Sequence, residues 1–456
     1  MSNIWQHQGT QVGLGVVVAV LMIGAIESSS TYDEECGWGW PRTTNRSWDN
    51  RHELIREHGR CHFELRLEGE VVPAADSRGF VRVGNDGLLE IEDRGRGTDR
   101  WLRVTAVDNE PSYAYKVEGQ EAAFDDAGRD WLAESLPQIQ RLTGVGAAER
   151  VAVLLEDGGI AAVVEEIGEI RRDRIQALYL RELLRHLEEP QEVAEALDET
   201  VWEIGSDQEL SRALAEVPTE FLLNDSVMAA ISKGAQRIGS NEQLRRLAVA
   251  HLKEAPPEAL PEILDLAADE ITSDYEMASL LKEFLELHPQ TPLPDAFFDA
   301  VDTMGSDSPT QQTLSAAVSA DRTDQEVERL LTAGLTISSD NEQMRLLLAV
   351  VESFPSEARL PDAFFRALST IESDSLQRRV AEATMVWPGF ERETATRLLD
   401  ALLGLGSDHE MATVLETLIR ALPDAASLPG FERSLATVSE YHQEQIQEMT
   451  GRINAK

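Results

Sequence analysis

The sequence predicts a mainly α fold: a HEAT-like α-solenoid of about nine helical hairpins, preceded by a small antiparallel β module and an N-terminal membrane or signal helix. Three observations predict it. The phrase Ile-x-Ser-Asp recurs in register along the carboxy-terminal two-thirds. A stretch before it alternates apolar and polar residues. An uncharged apolar segment lies near the amino terminus.

Residues 1–30 read as the membrane anchor or signal segment. Val12 to Ile26 is fifteen residues without a charge. A transmembrane helix wants about 20 apolar residues and a signal-peptide core about 7 to 15, so the length falls between them. No Lys or Arg precedes Arg42, so the basic start of a standard signal peptide is missing. Trp5 suits an interfacial anchor, whereas the small residues Ser28 and Ser30 suit cleavage. An uncleaved anchor is the favoured reading, a cleaved signal the alternative, and a buried core helix the third. The first makes a single-pass cell-membrane protein with residues 31–456 outside the cytoplasm. The second makes it periplasmic or secreted.

Residues 31–60 read as a linker carrying Trp38, Trp40 and Trp48. Cys36 and Cys61 are the only cysteines, and in an oxidising compartment one disulfide between them is the simple expectation. Such a closure stabilises by about 2–4 kcal/mol. The nearest approach to a metal motif is His52-Glu53-Leu54-Ile55-Arg56. A zinc-protease helix needs His at its first and fifth positions, and the fifth here is Arg56. His58, Cys61 and His62 are zinc-type ligands, but a disulfide at Cys61 with two surface histidines is favoured over them.

Residues 61–124 read as the β module. His62 to Val72 alternates, and Phe80–Val83, Leu88–Ile91, Trp101–Val107 and Ser112–Val117 are further short runs. Turn signals such as Asn85-Asp86-Gly87 separate them. Arg94-Gly95-Arg96-Gly97 is expected to be a plain hairpin tip. Residues 125–150 form a connecting helix with Trp131, Leu132, Leu136, Ile139 and Leu142 on one face.

The solenoid spans 151–456. Complete or near-complete phrases end at Asp207, Asp274, Asp307, Asp340, Asp374 and Asp408. Degenerate ones end at Asp173, Asn241 and Tyr441, and successive spacings are 33 or 34 residues. Ser206, Ser273, Ser306, Ser339, Ser373 and Ser407 are expected to cap the helix that follows, because a hydroxyl satisfies an N–H left unpaired in the first turn. Glu209, Gln243, Glu276, Glu342 and Glu410, three residues later, are expected to complete capping boxes. The Asp is expected to complement the positive end of the helix dipole. Leu293-Pro294-Asp295-Ala296-Phe297-Phe298 recurs as Leu360-Pro361-Asp362-Ala363-Phe364-Phe365, with Leu260-Pro261-Glu262 as a relative. These mark the other helix starts. Each pair of helices buries its apolar face only by stacking on its neighbours. The polar stretch Tyr441 to Lys456 reads as a closing cap.

The chain resembles a group of bacterial envelope proteins of unassigned function, with a small β module followed by Ser-Asp HEAT-like helical repeats. Some members carry these modules behind a sensor-type membrane metallopeptidase. The resemblance rests on Gly87-Leu88-Leu89-Glu90-Ile91-Glu92, Val117-Glu118-Gly119, Trp131-Leu132, Gly158-Gly159 and the Ser-Asp turns. It covers roughly residues 61–440. It implies a fold and a compartment rather than a reaction. One membrane segment and no peptidase motif set this chain apart from the sensor members.

The formal net charge is −41, from 82 acidic and 41 basic residues, with five lysines and the rest arginine. Such a surface repels phosphate backbones and disfavours nucleic acid. Salt adaptation explains the carboxylate excess, since screening tames self-repulsion. Arginine-rich coding explains the scarcity of lysine without it. No nucleophile elbow or phosphate loop is present, so no enzyme activity, cofactor or metal is expected. A row of Ser-Asp carboxylates invites cations, but capping explains every copy without an ion. The expectation is an exported, membrane-tethered interaction scaffold for a protein or peptide partner in the cell envelope. The alternatives are an accessory or sensor component of an envelope-stress or peptidase system, or a zinc-dependent enzyme centred on His58 and His62.

Overall fold

A computed structural model of the protein describes residues 43–48, 51–58, 61–95, 97–108, 110–318, 322–354 and 358–454. The apolar segment at Val12–Ile26 and Cys36 lie outside these residues. Among the described residues no helix is long and apolar enough to cross a membrane. The chain divides into two compact units. One takes in the described residues up to 71 together with 80–129, and the other 72–79 with 130 onward.

The strands are β1 (Thr43–Trp48), β2 (Arg51–His58), β3 (Cys61–Glu68), β4 (Val71–Pro73), β5 (Phe80–Val83), β6 (Leu88–Arg94), β7 (Arg100–Val107), β8 (Glu110–Val117) and β9 (Gln120–Ala122), all in the first unit except the last two residues of β4. Seven strands form one antiparallel sheet in the order β1-β2-β3-β6-β7-β8-β9, and β4 and β5 lie outside it. The period-two pattern becomes a covered face, because successive side chains leave a strand on opposite sides. Leu54, Leu65, Ile91, Leu102 and Tyr115 line up across five strands and all are buried. A Cβ on Gly87 would stand 2.5 Å from the carbonyl oxygen of Glu70, which is why this turn takes glycine. Between β6 and β7, the Gly95 N–H donates to Asp99 Oδ1 at 3.0 Å, as a plain hairpin tip does.

The sheet starts earlier than the pattern suggests. β1 and β2 lie inside the stretch 31–60 read as a linker. The apolar alternation fails in β2 because Arg56, only 8% exposed, follows Leu54 on the covered face.

The second unit is helical. It begins in α1 (Asp126–Thr143), on which Trp131, Leu132, Leu136 and Ile139 are buried. Among the described residues nine hairpins follow. Their first helices, the A helices, are α2 (Ala147–Glu169), α4 (Pro190–Thr200), α6 (Asp225–Ala235), α8 (Leu260–Glu270), α10 (Asp295–Asp302), α12 (Asp324–Gly334), α14 (Asp362–Thr370), α16 (Arg392–Ala401) and α18 (Phe431–Leu435). Their second helices, the B helices, are α3 (Asp173–Leu184), α5 (Asp207–Leu214), α7 (Asn241–Glu254), α9 (Asp274–Leu287), α11 (Asp307–Ala317), α13 (Asp340–Ser353), α15 (Asp374–Val386), α17 (Asp408–Ala421) and α19 (Glu440–Asn454). Each A helix packs on the next A helix and each B helix on the next B helix. The result is two helical layers around one apolar core that runs unbroken from Ala147 to Ile446. The first hairpin is irregular, since α2 kinks at Gly159, whose φ of 67° lies in the left-handed region.

Polar side chains knit successive B helices together inside this core. The His251 Nε2–H donates to the Leu214 carbonyl at 3.1 Å. His288 reaches the Leu252 carbonyl at 2.8 Å, and Trp387 the Phe354 carbonyl at 3.1 Å. Each bonds a carbonyl at the end of the preceding B helix, where intrahelical donors run out; the Leu214 carbonyl also accepts the Val217 N–H at 3.2 Å.

Candidate functional site

Three surfaces place polar side chains in an arrangement that the fold alone does not demand. The first is the edge carrying the Ser-Asp turns. Ser206, Ser240, Ser273 and Ser407 accept the N–H of Glu209, Gln243, Glu276 and Glu410. Ser306, Ser339 and Ser373 sit at the same cap position without that bond. The Asp has a further partner that the sequence reading missed. At Asp173, Asp307, Asp340, Asp374 and Asp408 the carboxylate reaches forward to the next turn. Asp340 accepts from the N–H groups of Glu372 and Ser373 at 3.1 and 2.8 Å. Asp307 accepts from Ser338 and Ser339 at 3.0 and 2.8 Å. Asp173, Asp374 and Asp408 do the same for Gly205, Gly406 and Ser439. Asn241 serves Thr272 and Ser273 through its amide oxygen.

This corrects the expected capping boxes. Among the described residues the reciprocal box forms at Thr323 and Glu326, on an A helix. At Ser273, Ser339 and Ser373 the cap N–H is already held by the preceding repeat. Freed of that task at Ser273, Glu276 pairs with Arg245 at 2.7 Å; Glu410 pairs with Arg378. The N–H groups of Ser338 and Ser439 hold the Asp307 and Asp408 carboxyls below the usual carboxylate range. A row of carboxylates that accept backbone donors is a staple between repeats.

The second surface is the A-helix layer. In the two Leu-Pro-Asp-Ala-Phe-Phe segments, the Asp and the last Phe together hold an arginine from the next A helix. The Arg329 guanidinium stacks 3.9 Å from the Phe298 ring centre and pairs with Asp295 at 2.6 Å. Arg397 stacks 4.1 Å from Phe365 and pairs with Asp362. Other A-to-A junctions carry Lys233–Asp198 at 2.8 Å, Arg366–Glu328 at 2.9 Å and Arg433–Asp400 at 2.9 Å. Between α8 and α10 the pattern reverses, and exposed Asp265 faces exposed Asp299. Burial, followed by repulsion from Asp299, Glu262 and Asp269, raises the Asp265 carboxyl. A groove lined by Phe298, Asp302, Arg329, Thr332, Ala333 and Thr336 lies beside Asp299 on α10 and α12.

The third surface is the outer face of the β sheet. The pleat separates the residues that the sequence placed together as zinc-type ligands. Cys61 is buried on the covered side, 2% exposed, and is disulfide-bonded. Its neighbour His62 lies on the other face, where it meets Glu64 on its own strand and Glu92 on β6. The ring and the two carboxylates offer ligand atoms within 4.8 Å of one another. Glu92 also lines an open cleft of about 520 Å³ with Arg94, Asp99, Arg100, Trp101, Lys116, Glu118 and Gly119. Lys116 lies 4.7 Å over the Trp101 ring, and the Trp101 indole N–H donates to Glu90 at 3.0 Å.

No family model matches the chain, and no curated protein matches it. Two solved structures are aligned with it. One is described as a circular tandem repeat protein with novel repeat topology and enhanced subunit contact surfaces. It has 15% identity over 72% of this chain and 74% of that one, with a TM-score of 0.15. The other comes from the computational design of self-assembling cyclic protein homooligomers. It has 14% identity over 72% of this chain and 95% of that one, with a TM-score of 0.10. TM-scores this low carry no argument, so the architecture rests on the chain's own geometry: a small β module followed by a long array of helical repeats.

Proposed function

We propose that the protein is an interaction scaffold whose A-helix layer holds a basic segment of a protein or peptide partner. The observation that carries this reading is the reversal at Asp265 and Asp299. At five other junctions of the layer an acid on one A helix meets a base on the next, whereas here Asp265 is repelled by Asp299. A lysine or arginine supplied by the partner relieves that repulsion, and the net charge of −41 steers such a partner towards the surface. The scaffold runs no reaction of its own in this reading. Its place is the cell envelope, tethered through Val12–Ile26 with residues 31–456 outside the cytoplasm. That part rests on the apolar segment and the paired cysteines of the sequence.

The test is binding of a fluorescent oligo-lysine peptide to the full chain at low and physiological salt. D265N/D299N is compared with E440Q/E444Q, which removes two exposed carboxylates from α19. The proposal expects the first variant to bind markedly more weakly and the second to match wild type. Equal loss in both would assign the binding to bulk charge and overturn the site. Membrane placement is tested separately, by protease protection of the carboxy terminus in intact cells.

A further inference from the structure

The geometry points to a divalent transition-metal site of the zinc class on the outer face of the β sheet, ligated by His62, Glu64 and Glu92. His62 and Glu64 stand two apart on β3 and so leave the strand on the same side. Glu92 lies directly opposite Glu64 in the register of β3 with β6. The three ligand atoms lie within 4.8 Å of one another, and a small inward rotation of the two glutamate side chains brings them to the roughly 3.5 Å that tetrahedral ligands keep on one ion with bonds of about 2.0–2.2 Å.

The imidazole supplies an independent observation. His62 Nε2 is shut off from solvent yet has no hydrogen-bond partner. It lies 3.4 Å from Glu64 Oε2. The other ring nitrogen, Nδ1, stands 3.4 Å from Glu57 on β2. A metal-bound histidine has this arrangement: a carboxylate beside one nitrogen fixes the tautomer and leaves the other lone pair for the ion. Glu92 keeps Arg94 at 3.0 Å on one carboxylate oxygen, and a carboxylate has a second oxygen with which to bind a metal. One nitrogen and two carboxylates suit zinc and its first-row neighbours better than calcium or magnesium, which take oxygen ligands alone.

Three protein ligands leave a fourth position open. Glu92 belongs both to this cluster and to the cleft around Trp101, Lys116 and Arg100. The site therefore borders an open cleft of mixed charge. This assignment concerns the β unit alone and does not depend on the A-helix reading.

The test uses the full chain, stripped with a chelator and titrated with Zn²⁺ by calorimetry in enough potassium chloride to screen the general acidic surface. Co²⁺ then serves as a spectroscopic probe. One site per chain is expected, with the visible absorption of a nitrogen-ligated, low-coordinate Co²⁺. H62Q and E64Q/E92Q should each weaken it by well over the roughly tenfold loss that even an outer partner of a ligand costs. E57Q should give about that smaller loss while keeping the Co²⁺ spectrum. D265N/D299N, on the helical unit, should leave the site unchanged, and circular dichroism would show that each variant folds. Undiminished one-site binding in E64Q/E92Q, or no binding above that of a scattered acidic surface, would overturn the assignment.

Discussion

The Asp340 carboxylate accepts the backbone N–H of Ser373, one repeat further on, at 2.8 Å. The residue that begins one B helix therefore also holds the turn that begins the next. D340A removes an acceptor of two N–H groups and is expected to cost about 1.5–3 kcal/mol. Because each repeat contacts only its neighbours, hydrogen exchange should accelerate at Glu372 and Ser373 and remain unchanged near α5. D340N should retain part of the effect, since Asn241 performs the same task with an amide oxygen. Uniform loosening along the array would contradict the staple.

His251 makes the array sensitive to mild acid. Burial pushes its imidazole down to about 4, and Nδ1 is buried without a partner for a second proton. The unfolded chain binds that proton near its ordinary value of about 6.5. Stability is therefore full above that pH and falls as pH drops towards about 4, by on the order of 3 kcal/mol. H251L should flatten the dependence of the urea midpoint on pH in this window. An unchanged slope would show that other groups produce it.

Glu166 is buried, 4% exposed, and makes a two-pronged pair with Arg141 at 3.0 and 2.8 Å, with Arg150 at 3.6 Å. E166Q leaves two guanidinium groups short of their counter-charge. It should destabilise the start of the array by about 3–5 kcal/mol, the usual cost of breaking a buried pair from one side. Limited proteolysis near α2 would report it. Burial and the neighbouring Glu166 both raise the Tyr179 hydroxyl, so Tyr179 should stay un-ionised in alkali until the helix opens.

Arg397 stacks on Phe365 while pairing with exposed Asp362. R397A is expected to cost about 1 kcal/mol, and R397K should recover little of it, because an ammonium lacks the planar face that stacks. R329A should behave in the same way against Phe298. Thermal melts of R397A, R397K and R329A check the parallel.

Much of the solenoid was legible because the same physics recurs at each unit. A serine before a helix, an apolar face of period 3.6 and a turn every 33 or 34 residues are local requirements, repeated in register. The Arg329 and Arg397 sockets left a faint trace. Both arginines stand the same distance before Asp340 and Asp408, after repeated Phe-Phe pairs. β2 was illegible because Arg56 breaks its apolar alternation. The cluster at His62 was illegible because Glu92 joins it across the sheet from another strand.

The sequence by itself determined the repeat, its helix starts and the residues available at each turn, because capping and amphipathic periodicity act over a few neighbouring residues. Only the tertiary structure decided what those residues do across repeats and strands. It turned the Asp from a dipole partner into a staple, set Asp265 against Asp299, and moved the candidate metal ligands from His58, Cys61 and His62 to His62, Glu64 and Glu92. The physical reason is the same in each case. Stacking and strand register bring together groups about one repeat or one hairpin apart, and no local pattern records which of them will meet.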